Sequence, residues 1–252
     1  MPTQTDLNLN EIKTEAWRLM RKGRVLPLRM TALMLAVLLG INLVGTAISD
    51  LLGKTLGVLS FSFSFFDILI VLISGVLNTG FLLYCLRIRR GEQVPYDSLF
   101  DTFAFAGKVV LLDVLQWSLV GLGFSLFVVP GVYLFFAYAM ASFHLVDEPQ
   151  LSVLEALRRS RVEMTGRKMQ LIRLELSFWP LLLAEMAVFG FCQGVIAPAL
   201  PNGMTGDLLY ILISSIFLGI VELFLSPYLR LALAGFYDRV RMDADPSDDL
   251  AL

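Results

Sequence analysis

The chain has 252 residues, 57% of them hydrophobic and 17% charged, with a mean hydropathy of +0.74 and a formal net charge of −2. Soluble domains hold roughly 45–50% apolar and about 25% charged residues, so this composition excludes an ordinary soluble domain and points to a membrane protein. Nucleic acid is not an expected partner either, because the basic residues line a membrane face, where anionic lipid is nearer.

Residues 8–23 are predicted to form a short amphipathic helix, capped by Asn8, with Glu11 three residues on and Gly23 at its end. Leu9, Ile12, Ala16 and Leu19 or Met20 make an apolar stripe with Trp17 beside it, and Lys13, Arg18, Arg21 and Lys22 lie on the flanks. Such a helix either lies in the lipid interface or packs on the protein's own inner loops.

Six apolar runs follow, at 30–49, 68–86, 109–128, 131–146, 174–196 and 208–229. A crossing takes about 20 residues, within a range near 17–25. Every Lys and Arg except Lys54 falls on one side of this map. Cytoplasmic loops carry the Lys/Arg excess, so six crossings place both termini in the cytoplasm. The first run, from near Val25 with Pro27 in its first turn, is read as a span and not a signal peptide, because its polar lead and apolar stretch are both too long. Gly45-Thr46-Ala47 could nonetheless mimic a cleavage site.

Residues 61–67 alternate apolar and polar like a strand, but one strand in lipid would leave backbone groups unpaired. An outer-interface loop with anchoring aromatics is expected there. The 109–146 stretch reads as two spans joined by a tight turn at Val129-Pro130-Gly131, with a re-entrant hairpin as the competing reading. A second cytoplasmic amphipathic helix is predicted over 151–166, opened by the Ser152-x-x-Glu155 capping box and closed by Gly166. Val153, Ala156, Leu157, Ser160 and Met164 share one face, while Arg158, Arg159 and Arg161 lie mostly elsewhere.

The fifth span is expected to kink at Pro180. Its Gly190-x-x-x-Gly194 would allow close helix approach. The sixth passes through Ser226-Pro227-Tyr228 toward Tyr237. The fold class is therefore all-α, a polytopic membrane bundle of six transmembrane helices with two cytoplasmic amphipathic helices. Its parts are the N-terminal helix region 1–24, the membrane domain 25–240 and a disordered acidic tail 241–252.

Catalytic signatures are missing: no HExxH, no G-x-S-x-G, no GxxxxGK[ST]. A non-enzyme with no cofactor is expected. His144, the one histidine, is expected to hydrogen-bond at the interface or meet lipid headgroups, and Asp147 and Glu148 to be solvated surface carboxylates. Cys85 and Cys192 fall near opposite ends of their spans, too far apart for a disulfide.

The intramembrane polar residues Asp113, Gln116, Glu185 and Glu222 form a candidate site, because an ionised side chain at the bilayer centre costs at least about 2.5–3.5 kcal/mol. Asp113 and Gln116 share a helix face. Glu175 sits at the inner boundary beside Arg173. On straight helices Glu185 lies about 18 Å from Arg173 and Glu222 about 12 Å from Arg230, with Asn42, Asn78 or Gln116 as possible partners. Arg158, Arg159, Arg161, Arg167 and Lys168 form a candidate surface for anionic headgroups or a protein partner.

Several residues at fixed spacing carry a resemblance. These are Pro130-Gly131-Val132-Tyr133, Tyr138-Ala139-Met140-Ala141, Asp147-Glu148-Pro149, Ser152-x-x-Glu155-Ala156-Leu157, Ser160-x-x-x-Met164-x-Gly166, Leu176-Ser177-Phe178, Pro227-Tyr228 and Phe236-Tyr237, with Ile12-Lys13 and Ala16 near the start. Together they resemble the bacterial membrane family known as domain of unknown function 975. A weaker likeness exists to the membrane region fused to some glycerophosphodiester phosphodiesterases, whose catalytic domain has no counterpart here. The resemblance implies a six-helix bacterial inner-membrane protein without inherited catalytic residues. Two functions stand as expectations: a non-enzymatic protein whose basic cytoplasmic face binds lipid headgroups or a partner, or a small transporter or transporter subunit using intramembrane carboxylates.

Overall fold

A computed structural model of the protein describes residues 8–21, 27–56 and 61–244. Among these residues there is no strand, and six helices are long and apolar enough to cross a membrane. The chain is an all-α polytopic bundle.

The first helix, α1 (Leu9–Arg21), buries Ile12, Ala16 and Met20 at i, i+4, i+8 spacing. That stripe packs on the protein's own helices α2 (Pro27–Leu56) and α11 (Met204–Ala244), which decides against a helix lying free on lipid. Trp17 stays half-exposed and meets Tyr228 edge-on at 5.7 Å. Gly23, expected to end this helix, lies outside the described residues.

Helix α3 (Phe61–Arg89) begins where an interface loop was expected. In lipid a helix satisfies its backbone groups within itself, and this requirement outweighs the two-residue alternation of 61–67. A 3-10 helix, Tyr96–Phe105, follows that the sequence did not disclose. It leans on α3: Thr102 Oγ1 donates to the Val76 carbonyl at 3.1 Å, and Gly80 faces the Leu99 carbonyl so closely that a Cβ would clash.

The next run forms a helical hairpin, α4 (Ala106–Leu126) and α5 (Val128–Ala137). The reversal is at extended Phe127 (φ −161°, ψ 158°), one turn before the expected Pro130-Gly131. Pro130 instead occupies the first turn of α5, where its missing N–H costs nothing. A break at 138–140 separates α5 from α6 (Ala141–Asp147). Its freed backbone groups are met by Ser160 of α7 (Val153–Glu163): Ser160 Oγ donates to the Ala137 carbonyl at 2.9 Å and accepts from the Met140 N–H at 3.2 Å. The expected cap of α7 is present, with the Glu155 N–H donating to Ser152 Oγ at 3.2 Å, and Gly166 turns the chain at φ 83°.

The fifth run is not one helix. Helix α8 (Lys168–Leu176) ends at Ser177, and α9 (Trp179–Phe191) starts anew with Pro180 in its first turn. Pro180 marks this start and does not kink a span. A π-helical turn, Cys192–Ile196, and the short α10 (Ala197–Ala199) lead to the final loop. Neither Gly190 nor Gly194 has any neighbour within 4 Å of an added Cβ, so the GxxxG makes no helix contact here. Helix α11 then runs 41 residues through Pro227 to Ala244. Arg241 through Ala244 are thus helical, while 245–252 lie outside the described residues.

Packing is uneven along the bundle. Met30, Phe81, Tyr84, Phe143, Phe236 and Tyr237 are fully buried in one core near the end that carries the Lys/Arg clusters, hereafter the basic end. Burying such a side chain contributes about 1.5–3 kcal/mol. Toward the other end the helices loosen, and only 6% of the most apolar window of 179–199 is buried. In a bilayer, lipid covers such surface and no water is displaced by packing it.

Candidate functional site

Two places gather polar side chains. The first is the basic end, where Asp147 closes α6. Its side chain is 8% exposed and accepts from Arg90 Nη2 at 3.1 Å, from the Tyr237 hydroxyl at 3.1 Å, and from Arg241. Arg241 Nη2 also donates to Glu148 at 3.0 Å, and Arg159 Nη1 to Glu148 at 3.1 Å. Asp147 and Glu148 are therefore ion-paired hubs and not solvated carboxylates, because the turn after α3, together with α7 and α11, brings Arg90, Arg159 and Arg241 to them. Beside this hub, Arg89 Nε donates to Asp238 at 3.1 Å and Arg89 Nη2 to Glu15 at 2.8 Å, which fastens α1.

His144 is 2% exposed, with Nε2 2.9 Å from Glu163 Oε2 and Nδ1 3.3 Å from the Tyr237 hydroxyl. It hydrogen-bonds, as expected, but inside the protein and out of reach of lipid headgroups. Buried polar networks of this kind hold helices in one arrangement when every member has a partner. Burial also pushes Glu175, on α8, up to about 7.

The five candidate surface residues separate into two groups. Arg167 donates to the Val240 carbonyl at 2.7 Å, Lys168 Nζ sits 4.3 Å over the Tyr133 ring, and Arg159 is held by Glu148 and Glu155. These three brace the protein itself. Arg158 is 79% exposed with only a 3.9 Å approach to Glu155, and Arg161 is exposed with no ion pair among the described residues.

The second place is a cleft of about 280 Å³ between α2, α9 and α11, lined by Leu35, Leu39, Asn42, Glu185, Leu218 and Glu222 among others. It unites two of the four expected intramembrane residues. Asp113 lies instead against α3, its Oδ2 2.7 Å from where a Gly75 Cβ would stand, and Gln116 shares its helix α4. Asn78 accepts from Arg230 Nη2 at 2.9 Å and is likewise absent from the cleft.

The register that pairs Glu185 with Glu222 comes from Phe178 and Tyr228, whose rings meet edge-on at 4.9 Å. Glu185 is seven residues beyond Phe178 on α9, and Glu222 six before Tyr228 on α11. Both therefore stand about 9–11 Å from that contact. The 18 Å expected from Arg173 assumes one straight helix, whereas the structure divides Arg173 and Glu185 between α8 and α9.

Fold and polar sites together define a multi-pass α-helical membrane protein with a densely ion-paired basic end. The family model "protein of unknown function (DUF975)" matches residues 114–244, and the chain belongs to this family. No curated protein and no solved structure matches it significantly. Within the matched residues, motif residues noted in the sequence meet in space: Ser160 with Met140, Asp147 with Tyr237, Phe178 with Tyr228. The likeness of the opening helix lies outside the matched segment.

Proposed function

We propose that this is a non-enzymatic protein of the bacterial inner membrane whose basic end faces the cytoplasm, with both termini there, and binds anionic lipid headgroups. One observation carries the reading. On α7 the exposed residues Leu154, Arg158, Arg161 and Val162 recur at i, i+4, i+7, i+8, so two exposed guanidinium groups and two large apolar side chains share one stripe, with Glu155 only 3.9 Å from Arg158. The opposite face, with Ala156, Leu157 and Ser160, is buried. Mixed basic and apolar stripes suit an anionic membrane surface, where each Lys or Arg contributes about 1 kcal/mol.

The test compares binding of anionic and neutral liposomes to purified protein in detergent-free nanodiscs. Replacing Arg158 and Arg161 by Gln should remove most of the preference for anionic liposomes without lowering folded yield. Equal binding before and after the change removes the lipid reading and makes a protein partner the better occupant of this stripe.

A second reading, a small transporter or transporter subunit, is favoured by the placement of Glu185 and Glu222 in one cleft. Under it, Glu185→Gln or Glu222→Gln abolishes pH-dependent cation flux in proteoliposomes. Absence of flux in the unmodified protein rejects it.

A further inference from the structure

We propose that the α2–α9–α11 cleft binds a small alkylammonium cation, its N–H groups donating to Glu185, Glu222 and Asn42. The proposal rests on the reading of this cleft as a ligand site and is independent of whether the ligand is moved across the membrane.

The cleft is walled by leucines, yet Glu185 and Glu222 both line it. Two acids sharing a low-dielectric space are neutralised either by holding a proton or by taking a cation between them. No Lys or Arg lines the cleft, and the charge of Arg230 acts on Glu222 only from outside it. Arg230 is eight residues from Glu222 along α11, about 12 Å, and donates to Asn78. One further polar group is left open. Asn42 Nδ2 donates to the Leu38 carbonyl at 2.8 Å, which leaves its Oδ1 without a hydrogen bond among the described residues.

The walls decide which cation. Calcium takes about 6–8 oxygen ligands and magnesium keeps much of its water, whereas leucine side chains can replace neither. No group of three or more metal-ligating residues occurs among the described residues. A cation that brings its own apolar surface satisfies both halves of the site, with its ammonium toward the oxygens and its alkyl part against Leu35, Leu39 and Leu218. At about 280 Å³ the cleft lies at the small end of ligand pockets, which run roughly 300–1,000 Å³. Its lining residues are partly exposed, so the space is open to entry.

The probe is labelled cyclohexylammonium, with cyclohexanol as its neutral counterpart, in equilibrium dialysis against the full chain in zwitterionic nanodiscs, with empty nanodiscs subtracted. Saturable binding of one cation per chain is expected, without competition from cyclohexanol. Glu185→Gln and Glu222→Gln should each weaken it by about tenfold. Gly219→Leu keeps both carboxylates but fills the cleft, and because an added Cβ at Gly219 meets nothing within 4 Å, this variant should fold and lose binding. No saturable binding, undiminished binding in the double Gln variant or in Gly219→Leu, or displacement by cyclohexanol, sodium or calcium overturns the proposal. Binding without flux retains it and removes only transport. Flux of another cation without cyclohexylammonium binding removes the proposal and leaves transport standing.

Discussion

Asp147 accepts a hydrogen bond from the Tyr237 hydroxyl at 3.1 Å, across 90 residues of sequence. The same carboxylate holds Arg90, just past the end of α3, and Arg241 from α11. Deleting it would leave Arg90 to Asp238 and Arg241 to Glu148 as their remaining counter-charges, so Asp147→Ala should destabilise the protein by about 1–3 kcal/mol. Tyr237→Phe removes this hydrogen bond and the hydroxyl's 3.3 Å contact with His144 Nδ1, and should cost about 1–2 kcal/mol. In an Asp147→Asn background the Tyr237→Phe cost should shrink, since both act through one contact. Denaturation in mild detergent measures all three, and additive effects would show that the contact contributes nothing.

Glu175 links stability to pH. Its carboxyl is raised from an ordinary 4.5 to about 7 by burial, so the folded state binds the proton more tightly than the unfolded state does. Stability is then greatest below the ordinary value, falls as pH rises between 4.5 and 7, and is level above. Glu175→Gln abolishes this dependence. It should raise stability at pH 8 by about 1–3 kcal/mol and leave it nearly unchanged at pH 4. Thermal melts at the two pH values check the sign, and an equal gain at both would refute the assignment.

Gly80 allows the 3-10 helix to touch α3. Gly80→Ala places a methyl group against the Leu99 carbonyl and Thr102 Oγ1 and should cost about 1–3 kcal/mol through overpacking. The displaced segment should also expose Ser98, which is 2% exposed. A cysteine at position 98 should therefore alkylate faster in the Gly80→Ala protein than in its absence.

The proposed orientation is open to labelling. In protein whose Cys85 and Cys192 are replaced by Ala, single cysteines at Asn202 and Arg158 should behave oppositely toward an impermeant thiol reagent added to intact cells. Asn202→Cys should react and Arg158→Cys should not. Reaction at position 158 would reverse the map.

The sequence alone determined the class of this protein. Apolar runs long enough to cross a bilayer and the sorting of Lys and Arg are local properties, set by the solvent each segment must tolerate. The capping box at Ser152 and the buried stripe of α1 were legible for the same reason: a helix repeats every few residues, and its ends need their own donors and acceptors. The tertiary structure decided which polar groups meet. Asp147 read as solvated because its neighbours in sequence carry no counter-charge; its partners come from positions 90, 237 and 241. Arg159 and Arg167 read as surface charges until Glu148 and the Val240 carbonyl were placed beside them. Glu185 and Glu222 share a cleft because the Phe178–Tyr228 contact sets the register of α9 on α11. That register depends on the break between helices at 177–178. Hydropathy could not reveal it, because an apolar run reads alike whether it forms one helix or two.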